Sequence, residues 1–176
     1  LPLSKGARVL DFCAGGGGKS LALAAREDLR LTAHDAAPAR MSDLPERARR
    51  AGNRIALSPP EKLGQGYDLI VTDVPCSGSG TWRRTPDAKW RLTREGLDEL
   101  RRTQAEILGQ VAPLVRPGGR IAYMTCSVLD AENAVQIDDF LRQHPDYQQE
   151  LQQSWTPTNG SDGFYLALLR REDGAG

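Results

Sequence analysis

Only three cysteines and two histidines occur among the 176 residues, and no C-x-x-C pair brings two thiols together. An odd cysteine count excludes a complete internal disulfide framework. Cys13, Cys76 and Cys126 also lack the spacing and the histidine company of a structural zinc site, so no metal is expected. Reduced thiols without a secretory signal lead us to expect a cytoplasmic protein. No apolar run exceeds about six residues, far short of the ~20 that span a bilayer. Charge of one sign is missing too: 23 basic residues balance 23 acidic ones, so bulk electrostatics favour neither nucleic acid nor membrane. There is no Met at position 1, and Leu1 leads us to expect a piece of a longer protein.

What is present is the composition of an ordinary globular chain, 39% apolar and 26% charged. No repeat or linker divides it, so one domain is expected over residues 1–176. Short β-rich runs alternate with amphipathic stretches, which predicts an α/β doubly wound fold with a mainly parallel sheet. Strands are predicted at Arg8–Phe12, Leu29–His34, Asn53–Leu57, Tyr67–Asp73, Arg120–Thr125 and Gly163–Arg170. The intervening helices are predicted at Lys19–Arg26, Pro38–Ala51, about Leu97–Val111 and about Asp130–Gln143. A long loop is expected from Val74 to about Trp90, and Pro117-Gly118-Gly119 reads as a turn.

Three loops at strand ends carry candidate chemistry. In Asp11-Phe12-Cys13-Ala14-Gly15-Gly16-Gly17-Gly18-Lys19-Ser20, four glycines let the backbone approach a ligand beside a helix N-terminus. Gly18-Lys19-Ser20 ends like a phosphate-binding P-loop, but Cys13 stands where that motif needs glycine. The dinucleotide pattern fails as well, because its third glycine falls on Ser20. Asp35 closes the second strand, where a carboxylate can accept both hydroxyls of a ribose. A turn or cap role is the plainer alternative for it. Asp73-Val74-Pro75-Cys76-Ser77 and Thr125-Cys126-Ser127 leave two central strands at the edge where open α/β sheets bind ligands. Cys76, Cys126 and Asp73 could share one pocket, although free cysteines are often small buried hydrophobes.

These motifs, in this order, resemble the catalytic domain of the Sun/Fmu (NSun-type) RNA cytosine-5 methyltransferases. The matching stretches are V-L-D-F-C-A-G-G-G-G-K (9–19), D-x-x-x-x-R (35–40) and D-V-P-C-S-G-S-G-T-W-R-R-T-P-D-A-K-W (73–90). G-G-R-I-A-Y-M-T-C-S-V-L-D-A-E-N (118–133) and D-G-F-Y-L-A (162–167) complete the set. The resemblance implies a methyltransferase fold with one late antiparallel strand and S-adenosyl-L-methionine as cofactor. It places Cys13, Ala14, Gly15, Gly16, Gly17, Gly18, Lys19, Asp35 and Asp73 around that cofactor. It makes Cys126 the nucleophile and Cys76 the group that helps release product, with Asp73 and Lys19 as further catalytic candidates. Two departures stand out. Gly15-Gly16 replaces the family's usual small residue and proline, and Leu57-Ser58-Pro59-Pro60 lacks the acid that contacts adenine. The family's upstream RNA-binding portion is not in this sequence.

The implied chemistry has a clear electrostatic demand. Cytosine C5 becomes nucleophilic only after a thiolate adds at C6, and a thiol with a pKa near 8.5 is only about 3% ionised at pH 7. A pKa near ~7 would make it about half ionised, a differential stabilisation of about 2 kcal/mol. Lys19 and loop N–H groups are candidates for that field. Donation from Asp73 to the pyrimidine N3 would require burial to raise its pKa.

Structured RNA, ribosomal before transfer RNA, is the expected partner, and oligomeric state stays open. Arg83, Arg84 and Lys89 with Trp90 belong to a locally basic stretch that could hold phosphates and stack bases. A solvated helix face is the competing reading of that stretch. The acidic segment Asp130–Gln153 is expected to face away from RNA. Three rival functions remain: a P-loop-like NTPase with Lys19 on phosphates and Asp73 on magnesium, a non-catalytic RNA-binding subunit, and a methyltransferase acting on DNA.

Overall fold

The strand Tyr67–Asp73 (β4) occupies the middle of a seven-stranded sheet, and its Leu69, Ile70 and Val71 are almost wholly buried. A strand covered on both faces needs a continuous apolar run rather than alternation, which is what its sequence supplies. In the computed structural model, residues 3–25, 28–156 and 162–174 are described. Around β4 the other strands are β1 (Arg8–Asp11), β2 (Arg30–Ala33), β3 (Ile55–Leu57), β5 (Val115–Thr125), β6 (Tyr147–Trp155) and β7 (Phe164–Arg171). Their order is β3-β2-β1-β4-β5-β7-β6. The first five run parallel, β7 runs against β5, and β6 runs against β7. β7 is therefore the single reversed strand of this sheet, as expected. Strand order reverses between β1 and β4, the switch point where such sheets open a crevice at their carboxyl ends.

The helices are α1 (Gly18–Ala24), α2 (Leu44–Arg50), α3 (Pro86–Arg91), α4 (Arg94–Val111) and α5 (Ala134–Gln143). α4 starts cleanly because Thr93 Oγ1 caps Gly96 N at 3.1 Å, and it buries Gln104, Leu108 and Val111. Two cores result. One packs Ile70, Leu108, Ile121 and Tyr123 beneath α4 and α5, and the other packs Val9, Leu31, Leu69 and Ala122 on the opposite side.

Several predicted bounds shift for physical reasons. The helix expected over 38–51 splits into a 3-10 turn at Pro38–Met41 and then α2. Pro45 has no N–H to bond the carbonyl of Met41, so one continuous helix is excluded. The expected turn at 117–119 instead lies inside β5 as an irregularity opposite Tyr67–Leu69, with Gly118 at φ 71°. The long loop contains a 3-10 turn at Ser79–Thr81 and then α3, which carries Trp90. The helix expected from Asp130 begins as a separate 3-10 turn at Asp130–Glu132. β6 has no counterpart among the predicted strands. Only Tyr147 of its nine residues is buried, so this edge strand shows no apolar alternation. Arg26, the expected end of the first helix, lies outside the described residues.

Candidate active site at the carboxyl edge of the sheet

Register fixes the site. Asp73 pairs across to Met124, so the chains leaving β4 and β5 run side by side, and Val74 N donates to Met124 O at 3.1 Å. Gly80 N then donates to Cys126 O at 2.9 Å. The result is a direct thiol contact: Cys76 Sγ lies 3.3 Å from Cys126 Sγ.

The two thiols are not equivalent. Cys126 is lowered from 9.0 to about 7, chiefly because Cys76 donates a hydrogen bond to it, against the opposing effects of burial and of Asp73. Lys19 helps, but less than the neighbouring thiol. Cys76 is driven strongly upward by the same contact and by burial. Cys13 rises to about 12, through burial first and then the carboxylates Asp11, Asp35 and Asp73. One thiol of three is poised as a thiolate near neutrality.

The glycine loop is held from several sides. Asp35 is 3% exposed, and it accepts from Gly15 N at 2.8 Å and Ala37 N at 2.9 Å, with Arg40 Nη1 at 3.3 Å. Arg47 donates to Gly16 O, and Ala14 N donates to His34 O. Gly17 sits at φ 79°, and a Cβ there would lie 2.2 Å from Leu44 Cδ1, so no larger residue fits. Asp11 closes the loop from below. It accepts from Ser20 Oγ at 2.6 Å, its Oδ1 has no partner, and its pKa is raised to about 6, mainly by burial.

Cys13, Asp35, Asp73, Cys76 and Cys126 line one cavity of about 590 Å³, with Glu106 among the residues that α4 adds to its wall. Asp73 and Lys19 form an ion pair and are both partly exposed, 37% and 43%. The burial that proton donation from Asp73 would need is therefore not found. The pair also lines a second cavity of about 300 Å³ walled by Trp155, Phe164 and Tyr165. Gly16, Gly17 and Gly18 support the loop without lining either space. The basic stretch lies outside both cavities. Arg84 pairs with Asp162 at 2.7 Å and Arg83 with the same carboxylate at 3.6 Å, while Trp90 is 83% exposed under Lys89.

Sequence reasoning passed over Asp11 and Glu132. Glu132 is fully buried and binds the residues that follow both cysteines. Its only signal was its place six residues after Cys126, inside an acid-rich run. Among the described residues no group of three His, Cys, Asp or Glu side chains could hold a metal ion, and no helix is long and apolar enough to cross a membrane.

Comparison with known proteins points one way. The family described as 16S rRNA methyltransferase RsmB/F matches residues 1–170. Ribosomal RNA small subunit methyltransferase B of Salmonella arizonae is 36% identical over 184 residues, covering 93% of this chain and 42% of that protein. Its namesake from Erwinia tasmaniensis is 35% identical, covering 95% and 43%. The chain thus spans less than half the length of these relatives. Among solved structures, PH0851 superposes with a TM-score of 0.85 at 31% identity, over 96% of this chain and 43% of the other. NSun6 from Pyrococcus horikoshii with SFG gives 0.81 at 22% identity, over 94% and 48%, a likeness of fold.

Proposed function

The chain belongs to the RsmB/F family of 16S rRNA methyltransferases, and from that premise we propose that it methylates C5 of a cytosine in ribosomal RNA through a covalent adduct on Cys126. The observation that carries this reading is the thiol pair 3.3 Å apart in one cavity, a contact that shifts Cys126 downward and Cys76 upward. A P-loop reading leaves that pair without a task and has Lys19 bound to Asp73 instead of free for phosphates.

The cavity suits a nucleoside-containing cofactor. Its wall carries a buried carboxylate at the end of β2 and Cys13, the residue that leads into the glycine loop. Asp35 would take the ribose and Cys13 to Lys19 the adjoining portion, while His34, Pro60 and Glu106 also line the cavity. S-adenosyl-L-methionine supplies an electrophilic methyl group there when bound.

The chain's own residues do the rest. Cys126 thiolate adds to C6 of the cytosine, and the electron pair of the C5–C6 bond becomes available at C5. Asp73, ionised beside Lys19, accepts from the exocyclic N4–H, while the Lys19 ammonium offers a donor to the ring edge. Bonding carbon removes the negative charge from Cys126. Cys76 then no longer faces an anion, it can release its proton to water, and the resulting thiolate can serve as base for the C5 proton. Expulsion of Cys126 as thiolate restores the pair. Trp155 and Phe164 beside the Lys19–Asp73 pair offer apolar faces to an unstacked base. Lys89 and Trp90 extend RNA contact outward. A ribosomal RNA substrate places the protein in the cytoplasm.

Incubation of a 16S rRNA transcript with the protein and labelled S-adenosyl-L-methionine, followed by mapping of 5-methylcytosine, tests this. A covalent protein–RNA band with 5-fluorocytosine RNA is the expected companion result. Label on any atom other than cytosine C5 would overturn the reading.

A further inference from the structure

Glu132 is a carboxylate with no exposure at all, which costs several kcal/mol unless every oxygen is bonded. It is bonded fully, and by a particular set of donors. Oε1 accepts from Ser77 N at 2.8 Å and from Gln104 Nε2 at 3.0 Å. Oε2 accepts from Ser77 Oγ at 2.5 Å and from Ser127 Oγ at 2.6 Å. Ser77 follows Cys76 and Ser127 follows Cys126, so one carboxylate grips both cysteine loops one residue beyond the sulfurs. The clamp is anchored in turn. Gln104 Nε2 also donates to Pro75 O at 2.9 Å, just before Cys76, and Tyr123 Oη donates to Glu132 O at 2.7 Å. Both anchors come from buried parts of α4 and β5.

Apolar packing would hold two loops together at lower desolvation cost, so a buried charge here supplies direction rather than bulk stability. The three bonds from Ser77 and Ser127 fix where each serine lies, and therefore where each adjacent sulfur lies. We propose that Glu132 is a positioning residue that, through Ser77 and Ser127, holds Cys76 and Cys126 at hydrogen-bonding distance from each other. The inference rests on Cys126 being the nucleophile of the proposed reaction. Cys126 is faced by Cys76 from the loop after β4, by Asp73 at the end of β4 and by Lys19 from α1. Glu132 touches none of the thiols, and its charge is taken up by serine, glutamine and backbone donors. Loss of the clamp and loss of a nearby negative charge therefore have opposite signs. The first moves Cys126 ionisation upward in pH and the second moves it downward.

Iodoacetamide alkylation of the purified chain between pH 5.5 and 9.5, with each cysteine resolved by peptide mass, separates these outcomes without RNA or cofactor. Wild-type Cys126 should react with a midpoint near 7, whereas Glu132→Gln should shift it upward and slow alkylation at pH 7 roughly 10-fold. An unchanged midpoint in a folded but less stable Glu132→Gln would make the cluster ordinary structure and overturn the proposal. A downward shift would overturn it as well, by showing a charge effect. Should Glu132→Gln not fold, Ser127→Ala and Ser77→Ala each break part of the clamp. Both should shift the midpoint upward by less, and no shift in either overturns the proposal. Absence of RNA methylation by the wild-type protein would instead remove the functional reading and leave the alkylation result standing.

Discussion

Cys76 Sγ sits 3.3 Å from Cys126 Sγ, a contact that shifts Cys126 downward and Cys76 upward. A mutation at either position therefore changes both thiols, but the consequences for RNA differ. Cys126→Ala should abolish methylation and the covalent RNA adduct together. Cys76→Ala should slow attack, because it removes the hydrogen bond that lowers Cys126, and should also stall release, leaving a slow band of protein joined to labelled RNA on denaturing gels. The reverse pattern would place the nucleophile in the loop after β4.

Asp35 holds Gly15, and in the proposed site it would also meet the ribose. Charge-assisted hydrogen bonds contribute about 1.5–3 kcal/mol, so Asp35→Ala should weaken S-adenosylhomocysteine binding about 10- to 100-fold by calorimetry. Equal affinity in a folded variant would remove Asp35 from the cofactor site.

Asp11 makes folding pH-dependent in an unusual direction. Its pKa is raised from 3.8 to about 6 in the fold, so the folded state holds the proton longer than the unfolded state does. This contribution is fully present below about pH 4 and is lost as pH rises through about 6, a change of about 3 kcal/mol. Asp68 and Glu150 are shifted downward and act in the opposite sense, at the acid end of the range. Urea unfolding at pH 4.5, 5.5 and 6.5 should show falling stability across this window, and Asp11→Asn should flatten it. An identical slope in the variant would contradict this assignment.

Gly17→Ala is expected to be severe. It combines a left-handed backbone, about 1–2 kcal/mol for a residue with a Cβ, with a contact that Leu44 cannot avoid. Chemical denaturation should register a loss of about 2–4 kcal/mol. A loss below about 1 kcal/mol would mean that the loop relaxes around the methyl group.

Trp90 offers a cleaner test of RNA contact than the arginines do, since Arg83 and Arg84 already face Asp162. Stacking on an exposed aromatic contributes about 1–3 kcal/mol per base, so Trp90→Ala should weaken RNA binding about 5- to 100-fold. Its melting temperature should stay within a degree or so of the wild type, because the ring is 83% exposed. Unchanged RNA affinity would assign this helix to another surface.

Sequence alone disclosed the central strands because Tyr67–Asp73 and Arg120–Thr125 are buried on both faces and read as apolar runs. The strand-end motifs followed, since glycine, proline and cysteine mark chain reversals whose chemistry is local. What stayed hidden depends on pairing across distance. β6 hydrogen-bonds to β7 through backbone, so a glutamine-rich stretch gave no pattern. Glu132 reads as one acid among several until folding brings Ser77, 55 positions away, onto its carboxylate. Lys19 and loop N–H groups are the candidates the sequence offers for the field around Cys126, and both contribute, yet its main source is Cys76, a neighbour that only the register of β4 against β5 creates.

Gly80 links three distant segments by main chain alone: its N–H reaches Cys126 O, and its carbonyl receives Gly163 N at 2.8 Å. A Cβ on Gly80 would lie 2.3 Å from Gly163 O. During synthesis the chain displays all three thiols once residue 126 has emerged, but the partner of Gly80 lies 37 positions later (163 − 126). For that interval the nascent protein carries its sulfurs without the bond that β7 brings to their loop. Under the proposed mechanism, the loops that carry the sulfurs are complete only when the reversed strand has inserted beside β5.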